Sequence, residues 1–148
     1  MRIGFRLILA MAFALVAVFP ARAQEEIRGR AKVLSSDTLE VSGKRYRLFG
    51  IIGPGRDQKC VAGALPWLCG NAAYNHLREL AEGKLVTCVE KGLGDDQKLT
   101  ALCKADGKDL GYVQVRNGWA NADPKAGGYQ TAESAARASK VGFWKGSQ

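Results

Sequence analysis

Histidine is nearly absent from this chain: His76 is the single one in 148 residues. It has no Cys or Asp partner at ligand spacing, so a histidine-built metal or acid–base centre is not the expected chemistry. The four cysteines include no CxxC pair, which speaks against a zinc site. Proline is scarce, with 4 residues, and the 18 glycines follow no collagen-like period, so they predict turns rather than a fibre. No Gly-rich phosphate loop and no Ser/His/Asp set occurs. Internal repeats are lacking, and Gly127-Gly128 is the only linker-like stretch. The apolar run Leu7 to Phe19 spans thirteen residues, short of the eighteen or more that a membrane span requires.

That run has another meaning. Arg2 and Arg6 precede it and Ala21-Arg22-Ala23 follows, the pattern of a secretory signal peptide at residues 1–23, cut after Ala23. Residues 24–148 then form a single domain in the periplasm or outside the cell, with no stable membrane anchor. Removing Arg2, Arg6 and Arg22 from the 22 Lys+Arg leaves 19 against 14 Asp+Glu, a net charge of +5. A basic balance favours anionic partners without specifying a fold. Hydrophobic content of 47% is enough for a packed core and excludes wholesale disorder.

Cys60, Cys69, Cys88 and Cys103 all lie behind the leader, and an even count there predicts disulfides, with three connectivities open. Two strand-like runs, Lys84 to Val89 and Lys98 to Cys103, flank the turn-rich Gly92 to Gln97. A hairpin turning at Asp95-Asp96 sets Cys88 opposite Cys103 at bridging distance, which leaves Cys60 for Cys69. Closing that short loop is worth roughly 2.5–3 kcal/mol.

Three further strand-like segments come first: Gly29 to Leu34, Thr38 to Val41 and Lys44 to Phe49. Alternation in the third puts Tyr46 and Leu48 on one face and Arg45 and Arg47 on the other. Helices are predicted over Asn71 to Glu82, with Gly83 past its end, over Asp109 to Asn117, and over Thr131 to Lys140. Trp67, Trp119 and Trp144 read as core anchors. Three strands, a helix, two strands and two helices make an α+β chain, mainly β. This order suits a five-stranded OB-fold barrel carrying three helices.

The chain resembles the secreted thermonuclease (staphylococcal-nuclease-like) family from about Gly29 to Gly146. The likeness rests on Ser36-Asp37-Thr38, Arg47-Leu48-Phe49-Gly50-Ile51, Gln58-Lys59-Cys60 and Trp67-Leu68-Cys69-Gly70. It continues in Ala101-Leu102-Cys103, Asp109-Leu110, Asn117-Gly118-Trp119-Ala120 and Gly142-Phe143-Trp144. Each piece is weak alone; their order and spacing carry the signal. The resemblance implies the same barrel and independently favours the same two disulfides.

Members that work as enzymes hydrolyse phosphodiesters in DNA and RNA with one Ca²⁺. Such chemistry needs oxygen ligands for a hard cation, a base for water and positive charge around the phosphorane. In the family's D-G-D-T corner, Asp37 matches the metal-ligand aspartate and Ser35 replaces the first aspartate. In R-L-x-G-I-D-A-P-E, Arg47 matches the first phosphate-binding arginine. Ile52, however, stands in place of the second ligand aspartate, and Gly55 in place of the water-positioning glutamate. In D-x-Y-G-R, Lys98 falls where the second arginine belongs and Asp96 replaces the tyrosine. Arg47-Leu48 on one side and Gln58 and Cys60 on the other hold this register without a gap.

Losing a carboxylate ligand from a site of about 6–8 oxygens collapses Ca²⁺ affinity. Losing a general base costs typically ~10²–10⁴ in rate. Lys for Arg keeps charge but forfeits the bidentate fork. Asp57, two positions beyond Gly55, is a poor substitute base, because it restores no metal ligand. The expectation is therefore an exported, monomeric protein of this fold that binds an anionic polymer, nucleic acid or acidic polysaccharide. Arg45 and Arg47 form its binding face, while Arg47 and Lys98 are vestiges of a catalytic set. Asp37 is a relic metal ligand or a turn residue bonding its own backbone. No cofactor is expected, or Ca²⁺ if activity is retained. The alternatives are a Ca²⁺-dependent nuclease with an altered site, an accessory protein of exopolysaccharide biosynthesis, and a partner-binding module without anion affinity. The exopolysaccharide role follows only from the resemblance, since secreted relatives occur among such genes.

Overall fold

The computed structural model describes residues 25–146. The leader expected at residues 1–23 lies outside them. In chain order the strands are β1 (Glu26–Val33), β2 (Thr38–Val41), β3 (Lys44–Leu48), β4 (Ile51–Ile52), β5 (Cys60–Ala62) and β6 (Leu65–Trp67). Helix α1 (Cys69–Ala81) follows, then β7 (Leu85–Leu93), β8 (Leu99–Ala105), β9 (Lys108–Asp109), α2 (Leu110–Arg116), β10 (Asn121–Ala122) and α3 (Gln130–Ala138). A 3₁₀ turn at Gly142–Trp144 closes the described chain.

Five strands make the barrel in the order β3-β2-β1-β7-β8, and a parallel pairing of β3 with β8 shuts it through Arg47↔Thr100 and Leu48↔Ala101. This is the expected OB-type closure, which leaves no free edge between the first and last strands. Alternation works as predicted in β3: Tyr46 and Leu48 are buried, while Arg45 is exposed. The β2–β3 connection is a two-residue turn with φ of 51° at Ser42 and 77° at Gly43, the positive-φ pair that matches strand twist.

Leu39, Tyr46, Leu48, Ile51, Leu77 and Leu110 fill the core. Helix α1 turns Ala73, Leu77 and Ala81 inward. Asp109 caps α2 by accepting from the Tyr112 N–H at 3.1 Å. Tyr46 donates its hydroxyl to Glu90 Oε1 at 2.9 Å, and Lys44 reaches the same oxygen at 3.3 Å.

Both disulfides have the expected partners: Cys60–Cys69, and Cys88–Cys103 across the β7–β8 ladder. The tryptophans differ from expectation. All three are half-buried, set outside the barrel interior where the helices and the β5–β6 hairpin meet. Trp67 meets Trp119 edge-on at 6.1 Å, and the Arg137 guanidinium lies over Trp144 at 3.9 Å. A tightly filled five-stranded barrel takes Leu, Val and one Tyr, and leaves larger indoles to the periphery.

Candidate anion-binding face

The corner between β1 and β2 holds Asp37. Its Oδ1 accepts from the hydroxyls of Ser35 and Thr38, both at 2.9 Å, and its Oδ2 accepts from the Gly53 N–H at 3.2 Å. Ser36, buried beside it, donates to the Pro54 carbonyl at 2.6 Å. Gly53 makes that approach feasible, because a Cβ there would sit 2.4 Å from Ser36 Oγ and 2.8 Å from Asp37 Cβ. Asp37 therefore clamps the corner to the segment after β4, bonding as a turn residue does.

The neighbouring positions do not complete a Ca²⁺ cage. Ile52 presents a 47% exposed alkyl chain, and a side chain built at Gly55 would meet nothing within 4 Å. Among the described residues no group of three His, Cys, Asp or Glu is arranged to hold a metal. One carboxylate already engaged by three donors does not fit a cation that takes 6–8 oxygens.

The cations come together elsewhere on the same end of the barrel. Arg45, Arg47 and Lys98 line a cleft of about 570 Å³ with Ser35, Thr38 and Leu99; Asp37 does not line it. Arg45 and Arg47 reach it from alternate positions of β3, and Lys98 from the entry to β8. Arg45 is largely exposed and pairs with Glu40 across the ladder at 3.5 Å. Arg47 is the more buried of the two. Its Nη1 meets Asp96 Oδ2 at 3.0 Å, and Lys98 Nζ meets the same oxygen at 3.4 Å. Asp96 Oδ1 also accepts from the Lys98 N–H at 3.3 Å. Partial burial pushes the Asp96 carboxyl up, but that backbone donor and the charges of Arg47 and Lys98 outweigh it, so its pKa is lowered. Arg47 Nε is buried and has no hydrogen-bond partner among the described residues.

Arg47 also lines a second, smaller hollow of about 170 Å³ with Lys91, Thr100, Asp123 and Lys125. A bulge between Glu90 and Gly92 breaks the β7–β8 register where Lys91 enters it. Lys125 pairs there with Asp95, which raises the lysine's pKa.

No family model matches the chain. It is 31% identical over 147 residues to the succinoglycan biosynthesis protein ExoI of Rhizobium meliloti (strain 1021), covering 95% of this chain and 76% of that protein. The chain belongs to the ExoI family.

Arg45, Arg47 and Lys98 of this ExoI-family chain line one cleft, where the sequence grouped only Arg45 with Arg47 on a face, and Asp37 lies behind its wall, bonded to the lining residues Ser35 and Thr38. Sequence reasoning placed Asp96 in the hairpin turn and in the position of a tyrosine, and missed its contact with Arg47. An Asp two residues before a Lys in a turn is a local signal for the Asp96–Lys98 contact. Nothing local announces that Arg47, on a strand 49 residues earlier, shares the same carboxylate. Tyr74 and Tyr129 are both engaged. Arg56 covers the Tyr74 ring at 4.1 Å, and Tyr129 donates to Asp109 at 2.7 Å.

Proposed function

We propose that this protein serves exopolysaccharide biosynthesis as a binding accessory, holding an anionic polymer in the Arg45–Arg47–Lys98 cleft without cleaving it. The observation that carries this is the position of Asp96. Its carboxylate sits between Arg47 and Lys98 as an internal occupant of an anion site. An external carboxylate or phosphate can exchange with it, using the same Arg47 and Lys98 donors. Membership of the ExoI family favours a polysaccharide over nucleic acid as that polymer. The likeness to thermonucleases supports descent from a hydrolase, and the misfit of Asp37, Ile52 and Gly55 to Ca²⁺ supports the loss of hydrolysis. Two disulfides support an oxidising compartment, the periplasm or the cell exterior.

The test compares a carboxylate-bearing exopolysaccharide with a single-stranded oligonucleotide, measuring binding across salt and hydrolysis with Ca²⁺ or EDTA. The proposal expects glycan binding that weakens with salt, with log K falling by roughly 2 per decade for three cations. It expects no nucleic-acid cleavage in either condition. Salt-insensitive binding or no binding contradicts the anion site. Robust EDTA-sensitive cleavage contradicts the loss of hydrolysis.

A further inference from the structure

The segment from Cys60 to Cys69 (CVAGALPWLC) carries no charge and no hydrogen-bonding side chain except the indole of Trp67. It folds as the separate two-stranded hairpin β5–β6, pairing Val61↔Pro66 and Ala62↔Leu65, and its disulfide staples the base. Every residue from Val61 to Pro66 is exposed, as is Leu68, with Val61 at 60%, Leu65 at 75% and Leu68 at 52%. A contiguous apolar tip held in water marks a contact surface, because scattered exposed side chains would not form one projection.

The surroundings are basic. Exposed Arg56 and Lys59 lead into the hairpin, with Asp57 as the acid between them. From the other side the C-terminal segment lies against it: a Cβ on Gly146 would fall 2.5 Å from the Val61 carbonyl, which puts exposed Lys145 beside the base. Half-buried Trp67 sits at that base, against Trp119.

We infer that this hairpin docks the protein on an anionic lipid bilayer, inserting Val61, Leu65 and Leu68 while Arg56, Lys59 and Lys145 meet the headgroups. Apolar tip, indole at the boundary and cations behind it follow the order of layers at a membrane interface. Three large side chains fall well short of the roughly 800 Å² per partner that a stable dimer buries, whereas a bilayer needs no matching shape. Docking is peripheral: no helix among the described residues is long and apolar enough to cross a membrane. The Arg45–Arg47–Lys98 cleft takes no part, so this inference stands or falls independently of the polymer.

The experiment uses protein beginning at Gln24, which holds every strand of the closed barrel, the three helices of the described residues and both disulfides without the apolar leader run. Co-sedimentation is measured with phosphatidylcholine vesicles and with vesicles containing phosphatidylglycerol. Association with the anionic vesicles is expected to exceed that with the neutral ones. Val61→Ser with Leu65→Ser lowers it about tenfold or more, and Lys59→Gln lowers it about fivefold. Both variants change exposed residues, and an unchanged thermal melt confirms their fold. Absence of wild-type binding to the anionic vesicles overturns the inference, as does binding indifferent to the Ser variant. Self-association lost in the Ser variant, without lipid binding, assigns the hairpin to a second copy and overturns it too.

Discussion

The Arg47 guanidinium and the Asp96 carboxylate meet at 3.0 Å between β3 and the β7–β8 turn, and Lys98 shares the same oxygen. An external anion must displace that carboxylate or share its donors. Asp96→Asn removes the competing charge while keeping an oxygen for the Lys98 N–H. Affinity for an anionic polymer is expected to rise about three- to tenfold and its salt dependence to steepen, as an isotherm at two ionic strengths would show. Unchanged or weaker binding would place the ligand elsewhere.

The buried amide of Gln114 joins the helices to the corner. Its Nε2 donates to Ser36 O at 2.8 Å and Ala73 O at 3.2 Å, so its Oε1 accepts from His76 Nδ1. Gln114→Leu keeps the volume and strands the Ser36 carbonyl and an imidazole N–H, while the Ala73 carbonyl keeps its bond within α1. A loss of about 2–4 kcal/mol in unfolding free energy is expected from urea titration. A loss below ~0.5 kcal/mol would show that water satisfies these groups.

Alkaline pH should loosen the barrel. Burial, followed by the hydrogen bond to Glu90, pushes Tyr46 from 10.0 up to about 12, and burial also raises Tyr129. A folded pKa above the unfolded one stabilises below pH 10, and that contribution disappears as pH rises through about 12. Ultraviolet titration of the 4 tyrosines should leave these two protonated at pH 10, and Tyr46→Phe should flatten the alkaline limb of the stability profile. Half-ionisation of all four tyrosines at pH 10 in folded protein would refute this.

Position 55 is open space and Ile52 is exposed, so carboxylates can return there without disturbing the core. Ile52→Asp with Gly55→Glu is expected to melt within a few degrees of the parent without metal. If the thermonuclease likeness is one of descent, Ca²⁺ should raise the variant's Tm and not the parent's. Equal responses would count against that descent.

The barrel was legible because its long strands alternate with period two and because a hairpin sets Cys88 against Cys103. Helix positions followed from apolar spacing and Gly83, although α1 begins at Cys69, earlier than the predicted Asn71. The pairs β4–β10 and β5–β6 escaped notice, since ladders of two or three residues have no periodicity to detect. At the site, alternation placed Arg45 and Arg47 on the outer side of β3, and no local pattern encodes their counter-ions. Asp96 reaches Arg47, and Asp95 reaches Lys125, only because barrel closure brings distant turns together.

Charge reversal on β3 tests the account most directly. Arg45→Glu and Arg47→Glu together, measured against a carboxylate-bearing exopolysaccharide at low salt, should abolish binding while the oxidised protein keeps its circular dichroism. Affinity within about twofold of the parent would contradict an anion site in this cleft.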